Sequence, residues 1–218
     1  MRIIDLTGEI SAGTWTYGGP YAPVEIEKVA RIEEIGYDAY RIVLTEHTGT
    51  HMESPSHFFP GGIDGSQVPL NMLVGEAQVL DFMQKGKPLV CITREDFESY
   101  ESVLKKEDIA VIRTGWESHW NAPDYVTATP HISNEAAEWL VEKKVKLVAT
   151  DTPLLDDPRI SVKEEQLPDK ILARHGIPYV NGLVNLGTLS SARFKLFALP
   201  LKIRGVTGAP VRVIAVEE

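Results

Sequence analysis

The sequence predicts a mixed α/β fold on three observations. Short apolar, strand-like runs recur along all 218 residues, capped amphipathic helices lie between them, and no repeat, low-complexity tract or Ser/Gly linker divides the chain. One domain spanning residues 1–218 is therefore expected, and an apolar content of 43% is ordinary for a chain that buries a core.

The strand-like runs are Ile3 to Leu6, Val24 to Val29, Ala39 to Thr45, Ala77 to Phe82, Ile109 to Arg113, Val145 to Ala149, Phe194 to Ile203 and Val211 to Val216. Thr93 followed by Arg94-Glu-Asp96 reads as a helix cap with a reciprocating acid, opening a helix through about Lys106. Ser133 repeats the signal. The segment Asn134 to Lys144 then sets Ala137, Leu140 and Val141 on one stripe, with acids early and lysines late as the helix dipole prefers. A third helix is expected between Lys163 and Arg174, broken or delayed by Pro168 and closed at His175-Gly176. Gly-x-Gly-x-x-Gly and Walker-type glycine loops are absent, so Gly61-Gly-Ile-Asp-Gly65 reads as a plain loop.

Bulk composition narrows the partners to small molecules. The formal charge is −9 and no Lys/Arg run occurs, which argues against nucleic acid. No stretch is apolar for long enough to span a bilayer and the N-terminus lacks a leader-like core, so no membrane partner and a cytoplasmic location are expected. The single cysteine, Cys91, agrees with a reducing compartment and reads as a structural thiol.

Chemistry concentrates in eleven residues. Between His47 and His57 lie three of the six histidines, in the spacing His-x3-His-x-Glu-x3-His, with Glu53 as the acid. Imidazole and carboxylate together suit zinc and related divalent ions. His47 and His51 are four apart, yet Thr48-Gly-Thr50 and Ser54-Pro-Ser56 are poor helix material, so a loop leaving the strand Ala39 to Thr45 is expected. Gly49 would permit its turn and Pro55 would stiffen it. With His47, His51 and Glu53 as ligands, an ion would lower the pKa of water to about 7 and favour hydrolysis. His57, just beyond, would move protons as general acid/base, or else serve as a further ligand or partner to one. Trp15, Tyr17 and Trp116 lie in loop-like segments suited to covering an aromatic or amide substrate, with core packing as the competing explanation.

The segment His47-Thr-Gly-Thr-His51-Met-Glu53-Ser-Pro-Ser-His57-Phe58 resembles the signature of the metal-dependent cyclase superfamily, which contains bacterial kynurenine formamidases and isatin hydrolase. Arg113-Thr-Gly-Trp116, Asp151-Thr-Pro153, Leu199-Pro-Leu-Lys202 and Gly208-Ala-Pro-Val-Arg212 extend the likeness over nearly the whole chain. The resemblance implies a swivelling β/β/α fold with a mixed sheet, a homodimer or higher homo-oligomer, and a divalent metal, zinc first and manganese as the alternative. It also implies that Tyr17-Gly-Gly-Pro20 contributes to the pocket mouth. The implied activity is hydrolysis of an amide, formamide or lactam C–N bond, N-formylkynurenine being the named specific case. Two departures stand out. The family acid after the second histidine is normally Asp, and formamidase-like members carry a later histidine with a glutamate six residues on, where this chain has His175 and Asn181. A neutral amide in place of an acid favours one ion over two. His175 also suits a helix C-terminus and Asn181-Gly182 an ordinary turn. The alternative function is a catalytically altered member that binds metal or a small molecule without turnover.

Overall fold

The computed structural model describes residues 1–217. In chain order the strands are β1 (Arg2–Asp5), β2 (Glu25–Ala30), β3 (Ala39–Val43), β4 (His51–Glu53), β5 (Val74–Asp81), β6 (Cys91–Ile92), β7 (Ile109–Arg113), β8 (His131–Ile132), β9 (Leu147–Thr150), β10 (Tyr179–Asn181), β11 (Arg193–Pro200) and β12 (Gly208–Glu217). The helices are α1 (Ile32–Ile35), α2 (Leu70–Leu73), α3 (Arg94–Glu98), α4 (Asn134–Glu142) and α5 (Pro168–Arg174). Every one of the eight expected strands is present, with ends shifted by a few residues.

The main sheet runs β1-β12-β11-β5-β7-β9-β10-β4, and a further β12–β4 pairing closes seven of these strands into a mixed barrel. β5, β7, β9 and β10 run parallel, while β11, β12 and β4 complete the ring antiparallel. Closure depends on the ten-residue β12: its first residues pair with β4 and its last with β1, so one long strand serves two neighbours.

The two-residue period of the strands sorts the side chains into two cores. Ile109, Val111, Leu147, Ala149, Val180 and Val213 fill the barrel, whereas Ala110, Ile112, Val148 and Tyr179 face outward beneath α3, α4 and α5. The helices cover the parallel strands, as a sheet buried on both faces requires. Ser133 caps α4 by accepting from the Ala136 N–H at 3.2 Å, and Ala136, Ala137, Trp139 and Leu140 form the buried stripe. α5 begins at Pro168, the late start that the proline dictates.

α3 ends at Glu98 instead of near Lys106. The capping box forms, with the Thr93 N–H donating to Asp96 at 2.8 Å. The Ser99 hydroxyl then donates to the Asp96 carbonyl at 2.6 Å, and the Tyr100 hydroxyl both donates to and accepts from the Asp81 main chain, so side chains take the chain out of the helix. Cys91 is half-buried in β6, and burial pushes its thiol pKa up.

Apart from the barrel, β2 and β3 form a two-stranded hairpin. Ile26 lies directly opposite Ile42, and Lys28 opposite Tyr40, so these four share one face. Ile26, Tyr40 and Ile42 are about half exposed. An isolated two-stranded ribbon is marginal in water, and this one presents an exposed apolar face.

Candidate metal centre

The histidine segment is in part a strand, which corrects the loop expectation for His51 and Glu53. His-Met-Glu is a polar–apolar–polar alternation: Met52 points into the barrel core, and His51 and Glu53 therefore share the outer face. Register supplies their neighbours. On β10, Tyr179 lies opposite Glu53 and Asn181 opposite His51; on β12, Gly208 lies opposite Glu53. A Cβ at Gly208 would meet the Met52 carbonyl at 2.6 Å and His47 Cε1 at 3.3 Å, so glycine there makes room for the histidine. Gly49 takes the expected turn with φ +63°, placing His47 beside His51.

Three histidines converge on one buried carboxylate. Glu53 Oε1 lies 3.6 Å from His47 Nδ1 and 3.3 Å from His51 Nε2, and Oε2 lies 3.5 Å from His57 Nε2. The Tyr179 hydroxyl donates to Oε2 at 2.7 Å and the Asn181 amide donates to Oε1 at 3.0 Å. Burial would raise the Glu53 carboxyl, but its contact with His47 and the charge on that ring hold it well below its ordinary range. Burial alone would lower His47, but its bonds to Glu46 and Glu53 carry its pKa up to about 9.

Donors of His47, His51 and Glu53 lie within 4.8 Å of one another, the reach of a single ion, and all three residues are buried. A second triple of the same compactness joins Glu46, His47 and His57. Glu46 is committed elsewhere, accepting from the Thr207 N–H at 2.7 Å, the Thr207 hydroxyl at 2.8 Å and the Gly208 N–H at 3.1 Å. The first triple has acceptors to spare. His51 Nδ1 donates to the Gly49 carbonyl at 2.8 Å, which leaves Nε2 as a lone pair aimed at Glu53. Asn181 Oδ1 is buried without a hydrogen-bond partner, and His47 Nε2 meets only Glu46 Oε1, at 3.3 Å. Two imidazoles crowded against one carboxylate, with an orphaned amide oxygen beside them, fit a divalent cation that displaces the His47 proton.

His57 stands on the helical turn Pro55–His57, and its tautomer follows from its neighbours. The single Thr207 hydroxyl proton is given to Glu46, so the 2.9 Å contact between Thr207 Oγ1 and His57 Nδ1 requires Nδ1 to be the donor. Nε2 is then the free base facing Glu53. Burial lowers the His57 pKa, favouring the neutral ring.

A cavity of about 360 Å³ opens beside these groups. Tyr17, Tyr21 and Phe58 stand on its wall with His47, Glu53 and His57. Tyr17 thus reaches the site, its hydroxyl donating to the Pro153 carbonyl and lying 3.4 Å from His51 Nε2. Tyr21, edge-on to His47 with ring centroids 5.6 Å apart, was not singled out from sequence. Glu46, Thr207, Tyr179 and Asp169 were also missed; Glu46 adjoins His47, and the other three lie far away in sequence.

Three expected site residues lie elsewhere. His175 is exposed at the C-terminus of α5, where Gly176 turns the chain at φ +73°, and it belongs to neither donor triple. Trp116 is 1% exposed, stacked on His119 at 3.9 Å with its indole N–H given to the Tyr125 carbonyl. Trp15 packs behind the histidines against Tyr125 and Trp120, its ring centroid 6.3 Å from that of His51. Both tryptophans belong to an aromatic core with Tyr125 and neither lines this cavity. Asp151 accepts from Thr114 and from the Gly115 N–H, tying the end of β9 to the turn after β7.

The sequence profile of the family described as "Putative cyclase" matches residues 4–157. The chain belongs to this cyclase family. It is 27% identical over 215 residues to a kynurenine formamidase of Bacillus cereus, covering 97% of this chain and 95% of the relative. Among solved structures it resembles isatin hydrolase A from Labrenzia aggregata bound to benzyl benzoate, with a TM-score of 0.87, 26% identity and coverage of 98% and 93% of the two chains. An isatin hydrolase bound to the product analogue thioisatinate gives a TM-score of 0.90 at 24% identity, covering 100% of this chain and 93% of that one. The α/β fold with a mixed sheet expected from the sequence is shared with these cyclase-family structures.

Proposed function

We propose that this cyclase-family protein is a metal-dependent hydrolase of amide C–N bonds, with an aryl formamide such as N-formylkynurenine as the specific substrate. The convergence of His47, His51 and His57 on the buried Glu53, beside a cavity sized for a small aromatic molecule, carries this reading. His47, His51 and Glu53 would hold the ion, zinc first and manganese as the alternative. When bound, a divalent ion supplies activation of water and polarisation of the amide carbonyl. One ion is favoured over two, because Asn181 is a neutral amide and both Glu53 oxygens are already engaged by neighbours.

The protein's own groups account for the remaining steps. His57, neutral and with Nε2 free, takes a proton from water and returns it to the leaving nitrogen as the C–N bond breaks, so the amide and one water become a carboxylic acid and an amine. Tyr17, Tyr21 and Phe58 give an aromatic body an apolar seat and exclude water. Element analysis of protein purified without chelator, followed by a panel of N-formyl aromatic amines, isatin-like lactams and simple esters, tests the assignment. Bound metal with turnover of an amide supports it; bound metal with no turnover of any of the three favours the binding-protein alternative.

Thr207 acts as a positioning residue for His57. Thr207→Val should lower kcat about 10- to 100-fold, the scale expected when a partner orienting an active-site histidine is removed, and should alter the pH profile. Thr207→Ser should restore both; an unchanged pH profile in Thr207→Val would show a purely structural role.

We place the protein in the cytoplasm, in keeping with its single cysteine; no helix among the described residues is long and apolar enough to cross a membrane. We further propose a homo-oligomer, with the exposed Ile26–Ile42–Tyr40 face of the hairpin packing on another copy. Ile42→Lys should reduce the mass measured by light scattering to that of a smaller species. A mass unchanged by the substitution would remove the hairpin from the interface.

A further inference from the structure

We propose that Tyr179 is a positioning residue for the ion: its phenol pins one oxygen of Glu53, presents the other to His47 and His51, and so sets the site for zinc over manganese. The inference rests on the metal-dependent reading above and names what in the chain selects the ion.

Tyr179 and Glu53 are directly opposed residues of the antiparallel strands β10 and β4. On each strand the middle residue, Val180 or Met52, turns into the barrel core, so Tyr179, Asn181, His51 and Glu53 stand together on the other face. Tyr179 is fully buried, with its ring in the outer core that includes Ile171 and Leu172 of α5. Its hydroxyl donates to Glu53 Oε2 at 2.7 Å. A buried phenol requires a partner, and strand register gives it a carboxylate of the donor triple.

The two oxygens of Glu53 are thereby made unequal. Oε1 lies 3.3 Å from His51 Nε2 and 3.6 Å from His47 Nδ1, whereas Oε2 faces the phenol and, at 3.5 Å, His57 Nε2. The Asn181 amide donates to Oε1 at 3.0 Å, and a carboxylate oxygen has a second lone pair beyond that bond. Oε1 is the oxygen offered to an ion between the two histidines. Oε2 is held back from it by Tyr179.

Holding back one oxygen decides which ion gains most. A carboxylate that gives a single oxygen, beside two imidazoles and an open position, is the four-coordinate donor set that zinc takes. Manganese prefers oxygen ligands and a larger coordination number, so it profits from a carboxylate free to give both oxygens. The competing explanation is that the phenol serves the core alone and Glu53 is merely its nearest acceptor. In that case removing the hydroxyl disturbs both ions alike.

Tyr179→Phe keeps the ring and removes only the hydroxyl. Zinc and manganese are titrated separately, at one pH, into native and variant protein freed of metal by a chelator. Zinc affinity should fall about 10- to 100-fold, the scale for losing a partner that orients a ligand, and manganese affinity by less, so that the preference for zinc shrinks about tenfold. Cobalt(II) supplies an optical signature: the native complex should give the intense visible bands of a four-coordinate ion, and the variant the weaker bands of a higher coordination number. Equal losses for both ions with an unchanged cobalt spectrum, or no loss for either, overturn the proposal. Should Tyr179→Phe fail to fold, the native cobalt spectrum decides, and weak bands of a higher coordination number overturn it. Native protein that takes up neither zinc nor manganese ends the metal-dependent reading and this inference together. Ion binding without turnover of any amide ends the hydrolase reading alone, because the titrations do not depend on it.

Discussion

His51→Ala is expected to strip the ion from the protein and abolish turnover, whereas His57→Ala should keep the ion and lose about 10² to 10⁴ in kcat. The difference follows from the strand. His51 is fully buried on β4, its Nδ1 is anchored to the Gly49 carbonyl, and its Nε2 faces Glu53, with the Tyr17 hydroxyl 3.4 Å away. Its removal leaves His47 and Glu53, too few ligands for tight zinc or manganese binding. His57 is less enclosed, lies on a turn beyond the strand, and has its Nδ1 held by Thr207 while its Nε2 faces Glu53 from the cavity side. Metal content by element analysis and single-turnover rates on both variants check the division of labour. If His57→Ala also empties the site, the Glu46–His47–His57 triple becomes the ion's seat and the proton-transfer role of His57 is lost with it.

This site was legible in sequence because its core is local. His47, His51, Glu53 and His57 lie within eleven residues, and the one alternating triplet, His51-Met52-Glu53, already carries the period of a strand. Three residues are too short a run to register as a strand beside glycine, serine and proline, so the segment read as loop; the partner strand β10, equally short, was missed for the same reason. The eight longer strands and the capped helices were readable because each carries its own apolar run or cap. What local sequence does not contain is register. Tyr179 and Asn181 reach Glu53 through β10, Thr207 reaches His57 from the start of β12, and Asp169 enters from α5, each brought in by barrel closure. The aromatic residues show the same limit from the other side. Tyr17 and Trp116 look alike as loop aromatics, yet one faces the cavity and the other fills a core, a distinction set by packing partners far along the chain.

Ion affinity should rise about tenfold per pH unit and level off near pH 9, a change of about 10³ between pH 6 and 9, with close to one proton released per ion at neutral pH. The sign comes from His47, whose pKa in the ion-free fold is raised from the ordinary 6.5 to about 9 by Glu46 and Glu53 against the effect of burial. Between those values the ion-free fold holds a proton that an unfolded chain does not. The stabilisation from this pairing is therefore complete below about pH 6.5 and disappears as pH rises through about 9, at up to about 1.4 kcal/mol per pH unit for the one proton. An ion must take the lone pair which that proton occupies, so it competes with the proton across the same window and replaces its charge opposite Glu53. Calorimetry in buffers of different ionisation enthalpy measures the released proton directly. Glu53→Gln removes one of the two charges that raise His47, so both the affinity and the proton release should fall together in that variant. Affinity that stays flat from pH 6 to 9, or ion binding without proton release, would show that His47 is not the ligand and would move the ion away from Glu53.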